Sequence, residues 1–142
     1  MAHLGSFLLA DTSAWHYSGS PWVAARWRRE LGQDRIATTA PVRLEVLFST
    51  QSAGDYDRTA GRLDAVRQMP CGDNAWARAL DVQRQLAHGK ALHHRSVKLP
   101  DLLVAAVAEL EGAIVWHYDE DFDRIAAVTG QPTEWVAPRG SL

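Results

Sequence analysis

Phe7-Leu8-Leu9-Ala10-Asp11-Thr12-Ser13-Ala14 decides how the rest of the chain is read. Phe7 to Ala10 is a short apolar run, and it reads as a first, buried strand. Asp11 follows it directly. In open α/β sheets the crevice beyond the carboxyl ends of the strands is the usual place for chemistry. A carboxylate at that point, ahead of two hydroxyl residues, is therefore a candidate for function as well as for helix capping.

Outward from that strand, short apolar runs alternate with longer helical patterns, as an α/β domain requires. Pro21 to Leu31 reads as a helix with Ser20 as N-cap, Pro21 in the first turn and Gly32 as its stop. Arg35 to Thr39 reads as a second strand, and Pro41 to Thr50 as a helix capped by Thr39. Asp55 to Met69 carries Tyr56, Ala60, Leu63 and Val66 at helical spacing, and Pro70-Cys71-Gly72 then breaks the chain. Asn74 to Ala87 is amphipathic, with Trp76, Leu80, Gln83 and Leu86 along one stripe. Leu102 to Ala108 is apolar all the way round, which marks a helix buried on most sides. Pro100-Asp101 opens it and Gly112 follows it. Ala113 to Trp116 reads as a third strand, Asp121 to Thr129 as a short helix closed by Gly130, and Thr133 to Ala137 as a last edge strand. The tail from Pro138 to Leu142 is expected to fray.

A chain of 142 residues, 46% hydrophobic and 23% charged, suits one domain spanning residues 1–142, with a core from about 7 to 137. No apolar run approaches the roughly 18–20 residues that span a bilayer. Met1 to Leu9 lacks the cationic flank of a signal peptide. Cys71, the single cysteine, cannot form an internal disulfide and fits a reducing compartment, the cytoplasm. The net charge of −2 argues against a broad electrostatic grip on nucleic acid. If several carboxylates serve a cation, that objection weakens, and binding becomes local and metal-assisted.

Four acidic residues stand out: Asp11 after the first strand, Glu45 about one turn into the helix after the second, Asp101 opening the buried helix, and Asp119 after the third strand. The first three are embedded in apolar sequence. Two carboxylates about 5 Å apart repel by roughly 3 kcal/mol at an effective dielectric of 20. Four converging carboxylates therefore need protons or a cation, and Mg²⁺, a hard ion that takes oxygen ligands, suits them. Each residue alone also has a plain structural reading. Asp11 and Asp101 suit helix caps, Glu45 suits solvent, and Asp119-Glu120-Asp121 includes surface groups, with Asp121 suited to capping the last helix.

In order and spacing, Leu8-Leu9-Ala10-Asp11-Thr12-Ser13-Ala14, Leu44-Glu45-Val46, Pro100-Asp101-Leu102-Leu103-Val104-Ala105-Ala106 and Asp119-Glu120-Asp121-Phe122 resemble the acidic motifs of PIN-domain nucleases. The stand-alone length is similar to that of VapC toxins of bacterial toxin–antitoxin pairs. The resemblance implies a PIN-like three-layer sandwich, a central, mainly parallel sheet flanked by helices. It implies an endoribonuclease that depends on Mg²⁺ or Mn²⁺ and cuts RNA by metal-activated water. It also implies a VapB-like antitoxin as inhibitor and a toxin homodimer. By position, Asp11, Glu45, Asp101 and Asp119 match the catalytic metal ligands, with Thr12, Ser13 and Asp121 in support. His117 stands where the family often has Thr or Ser, two residues before the fourth acid.

Other features have blander alternatives. Trp15 could line the cleft and stack on a base, although core is the default for a tryptophan. His88, His93 and His94 lie near Arg95 and Lys98 without the convergent pattern of a zinc site. A loop in which His94 and Arg95 touch RNA phosphate competes with a solvated loop. Ser13 stands where a haloacid-dehalogenase phosphatase needs a second Asp, a receiver domain would need paired acids, and no Gly-rich phosphate loop is present. The main alternative from another class is a catalytically weak PIN domain that binds RNA or protein. A DNA-cutting relative is a further one.

Overall fold

The computed structural model describes residues 6–142, so residues 1–5 of the N-terminal stretch read above lie outside the described residues. Strand β1 (Leu8–Ala10) is buried along its whole length between two parallel neighbours. They are β2 (Ile36–Thr39), registered Leu8 to Ile36, and β4 (Ile114–His117), registered Leu8 to Ile114. A strand covered on both faces can afford no polar alternation, which is why Phe7 to Ala10 is apolar throughout. Strands β3 (Arg67–Met69) and β5 (Thr133–Trp135) form the edges, and the order β3-β2-β1-β4-β5 is parallel throughout.

Helices α1 (Thr12–His16) and α2 (Ala24–Gly32) connect β1 to β2, and α3 (Ala40–Phe48) and α4 (Ala53–Asp64) connect β2 to β3. Helices α5 (Asp73–Ala87) and α6 (Leu99–Glu111) carry the chain across to β4, and α7 (Asp121–Thr129) leads to β5. The winding therefore runs outward on one side of β1 and resumes on its other side. That reversal opens a crevice at the carboxyl ends of β1 and β4. Trp27 locks the elements beneath it, edge-on to Trp15 with ring centroids 4.9 Å apart and stacked on Trp116 at 5.4 Å.

Gly112 and Gly130 end α6 and α7 with φ of 67° and 72°, the left-handed turn that a side chain would strain. At Gly32 the expected stop is displaced: the helix includes Gly32, and Asp34 takes the positive φ. The same helix starts at Ala24 and not at Pro21, because the Ser20 carbonyl accepts from the Val23 and Ala24 amides and leaves Pro21 in a turn. Thr39 stands at the N-cap of α3, but its hydroxyl donates to the Met69 carbonyl instead of capping.

The helix expected to run on to Met69 stops at Asp64. Gln68 Nε2 donates to the Leu63 and Val66 carbonyls and closes the helix end, and residues 67–69 pair with β2 as an edge strand. On α5 the buried stripe is Ala75, Ala79, Val82 and Leu86, while Trp76 and Leu80 are exposed. The alanines lie on the face that packs on the neighbouring helices, so the large residues turn outward. With Leu44 and Leu99 they line two apolar grooves that share Trp76, Leu99 and Leu103. The C-terminal tail is held: the Leu142 amide donates to the Tyr118 hydroxyl and Arg139 pairs with Glu120. Among the described residues, no helix is long and apolar enough to cross a membrane.

Candidate active site

The crevice is a cleft of about 540 Å³ whose lining includes Asp11, Glu45, Lys98, Asp101 and Asp119. Asp11 caps α1: its Oδ2 accepts from the Ser13 amide at 3.1 Å and the Ser13 hydroxyl at 2.7 Å. Ser13 Oγ in turn accepts from the Tyr118 amide at 2.8 Å, tying the end of β1 to the chain leaving β4. Thr12 Oγ1 donates to Glu45 Oε1 at 3.0 Å. The two hydroxyl residues thus hold different acids, Ser13 the first and Thr12 the second. Capping and site formation coexist in Asp11, since the cap uses only Oδ2.

The remaining oxygens are exceptional. Asp11 and Asp101 are each 2% exposed, and Asp11 Oδ1 and Asp101 Oδ2 are buried without a hydrogen bond. An ionised oxygen in that position is costly unless a proton or a cation attends it. Burial pushes the Asp11 carboxyl up to about 6; the Ser13 hydrogen bonds oppose this and the Glu45 charge adds to it. Asp101 is pushed up to about 9, first by burial, then by the Asp11 charge and the Asp121 hydrogen bond. Carboxylate oxygens of Asp11, Glu45 and Asp101 lie within 4.8 Å of one another, as do those of Asp101, Asp119 and Asp121. All-oxygen ligands, largely desolvated at Asp11 and Asp101 and each of these two with one oxygen free of hydrogen bonds, fit a hard divalent cation.

The sequence reading did not assign Lys98 to the site. Its Nζ donates to Asp119 Oδ2 at 2.6 Å and Asp121 Oδ2 at 2.9 Å, and lies 3.3 Å from Asp101 Oδ2. Its position three residues before Asp101 at a helix start was the available signal. Asp121 is held rather than free. Burial alone would raise its carboxyl, but hydrogen bonds from Asp101 and Lys98 outweigh that and keep it below the usual carboxylate range. Nor does it cap α7; Glu120 stands at the cap, and the Asp121 amide donates to Asp119 Oδ1. Trp15 is buried against Trp27 and lines a smaller side cavity with Thr12 and Arg62, not the acidic cleft. His94 and Arg95 lie on a 3₁₀ turn, His93–Arg95, outside the cleft lining.

His117 takes the place of a hydroxyl residue by offering a ring nitrogen. Its Nδ1 accepts from the Asp119 amide at 3.1 Å, which shapes the turn carrying the fourth acid. The ring is fully buried against Phe122 and Trp135, and burial pushes its pKa down to about 4, against the pull of Asp123 and Asp119. A histidine held neutral contributes stability that is complete above its unfolded value near 6.5 and lost as pH falls towards 4. Between pH 7 and pH 5 that loss is about 2 kcal/mol. His117→Gln, which keeps an acceptor and cannot charge, should show a urea midpoint that falls less over this range than the parent's. Equal falls would contradict the assignment.

The PIN domain family model matches residues 8–128, so the chain belongs to the PIN-domain family. Its relatives narrow the class. The chain is 57% identical to Ribonuclease VapC18 of Mycobacterium tuberculosis, covering 93% of this chain and 96% of the relative. It is 42% identical to Ribonuclease VapC21 of the same species, covering 94% and 96%. Among solved structures, a DNA-bound VapBC from Salmonella typhimurium superposes with a TM-score of 0.74 at 16% identity, over 93% of this chain and 99% of that one. VapBC-1 from nontypeable Haemophilus influenzae gives 0.70 at 17% identity, over 92% and 98%. These structural likenesses speak for the fold.

Proposed function

We propose that this chain is an endoribonuclease, the toxin of a type II toxin–antitoxin pair, and that Mg²⁺ or Mn²⁺ supports its cutting. One observation carries the metal dependence: Asp11 and Asp101, 90 positions apart, turn buried oxygens that accept no hydrogen bond into one cleft, with the Lys98 ammonium at the edge of Asp101. The names of the relatives support the ribonuclease activity.

Asp11, Glu45 and Asp101 would hold the ion, with Asp119 beside them. When bound, the ion supplies Lewis acidity that favours water as nucleophile and offsets charge on phosphate oxygens. Thr12 and Ser13 fix the carboxylates of Glu45 and Asp11 so that little rearrangement remains when RNA arrives. Water oxygen adds to phosphorus, the bond to O3′ breaks, and the proton balance leaves a 5′-phosphate and a 3′-hydroxyl. The partners are a VapB-like antitoxin and a second copy of the chain, and the cytoplasm is the location. The exposed apolar grooves lined by Leu44, Trp76, Leu80 and Leu99 support assembly, since apolar patches of this kind usually meet a partner. Sedimentation velocity should give the mass of two chains, and a single-chain mass at micromolar concentration would contradict the homodimer.

The test of the activity uses purified protein on matched RNA and DNA strands, with Mg²⁺ or with chelator. RNA fragments carrying 5′-phosphates, formed only with the ion, are expected. Binding without cleavage under any divalent ion would favour a binding module, and equal cutting of DNA would remove the RNA assignment.

A further inference from the structure

The two carboxylate sets that share Asp101 are not equivalent. Among the described residues, neither Asp11 nor Glu45 forms an ion pair, so the set Asp11–Glu45–Asp101 has Lys98 at the edge of Asp101 as its only cation. The set Asp101–Asp119–Asp121 already surrounds an ammonium, at 3.3, 2.6 and 2.9 Å. Arg124 supplies a second positive charge to Asp121 at 3.0 Å. Lys98 is anchored as well as charged. Its backbone amide donates to Asp121 Oδ2 at 3.0 Å, the same oxygen its side chain reaches, which fixes the stem at the start of α6.

Resting on the metal reading above, we infer that Lys98 is the site's built-in second cation: its ammonium fills the Asp101–Asp119–Asp121 set, so each chain takes up one divalent ion, at Asp11–Glu45–Asp101, and not two. Two-metal nucleases place ions roughly 3.5–4 Å apart across a shared carboxylate. Here Asp101 is that shared group, and a tethered lysine stands on one side of it. Mg²⁺ needs oxygens at about 2.0–2.1 Å and would have to evict Nζ from the same Oδ2 atoms of Asp119 and Asp121. Lys98 is a positioning residue in this scheme: it holds Asp119 and Asp121 in place and leaves the other set open.

The test is ion counting on full-length, metal-free protein, by Mn²⁺ calorimetry and by electron paramagnetic resonance of free Mn²⁺. The parent should bind one Mn²⁺ per chain, Lys98→Met two, and Lys98→Arg one. Lys98→Met combined with Asp119→Asn should return to one. Lys98→Met should also melt lower than the parent without metal and regain the difference in saturating Mn²⁺. A merely structural lysine would change the melting temperature and leave the count at one, which overturns the inference. A count of two in the parent overturns it even if Lys98→Met fails to fold. A count of zero in the parent removes the metal reading itself.

Discussion

Replacing Asp101 with Asn is expected to abolish RNA cleavage and to make the metal-free protein more stable. Loss of a ligand to a Lewis-acid ion removes several kcal/mol of transition-state stabilisation, on the order of a 10³-fold fall in rate. The stability effect follows from the pKa of about 9 that burial and the Asp11 charge impose on this carboxyl. A group whose folded pKa is raised contributes stability that is complete below its unfolded value, near 4, and lost as pH rises through the folded one. At pH 8 the parent must therefore take up a proton on folding, and the Asn variant need not. With allowance for the coupling to Asp11, the gain is about 2–3 kcal/mol, on the order of 5 °C in melting temperature. The gap between variant and parent should widen from pH 5 to pH 9. Cleavage by the variant at the parental rate, or a metal-free variant less stable than the parent across that range, would contradict the assignment.

Mn²⁺ should stabilise the folded chain, and more at pH 8 than at pH 6. Bound ions hold carboxylates in their ionised form, so binding expels the protons that Asp101 and, in part, Asp11 carry in the metal-free state. Release of about one proton per ion makes the apparent affinity rise about tenfold per pH unit across this range. At a hundredfold excess over Kd the stabilisation is about 2.7 kcal/mol, again several degrees. Calorimetry in two buffers of different ionisation enthalpy reads the proton directly. Asp11→Asn should lose most of the Mn²⁺-induced shift. A pH-independent affinity with no buffer dependence would mean that the ion binds outside the buried carboxylates.

The parts of the fold that were legible in the sequence are those in which one residue type does one job. Phe7 to Ala10 and Leu102 to Ala108 are apolar beyond what an amphipathic element needs, and both lie at the centre. Gly112 and Gly130 ended their helices as expected. What escaped reading depended on partners distant in sequence. Arg67-Gln68-Met69 is a strand because β2 is beside it, and nothing in those three side chains separates them from the helix before. The stripe on α5 differs from the one its largest residues suggest, because packing between helices favours small residues and the conspicuous Trp76 and Leu80 face outward.

The same distinction runs through the site. Asp11, Glu45 and Asp101 could be named because carboxylates beside apolar runs are conspicuous, Asp119 because it follows the third strand, and all four line the cleft. Lys98 had only its spacing to Asp101 as a signal, and a lysine before a helix is ordinary until Asp119 and Asp121 fold over it. His117 stood out as a departure from the family pattern, yet its role as an acceptor for the Asp119 amide needed the turn itself.

The most direct measurement is the anomalous scattering of Mn²⁺ in crystals of the protein, collected at the manganese edge. A peak coordinated by oxygens of Asp11, Glu45 and Asp101 is expected, absent from crystals of Asp101→Asn grown and soaked alike. A cleft without manganese at concentrations that support cleavage, or a peak on other residues, would contradict the claim that these buried carboxylates exist to hold a cation.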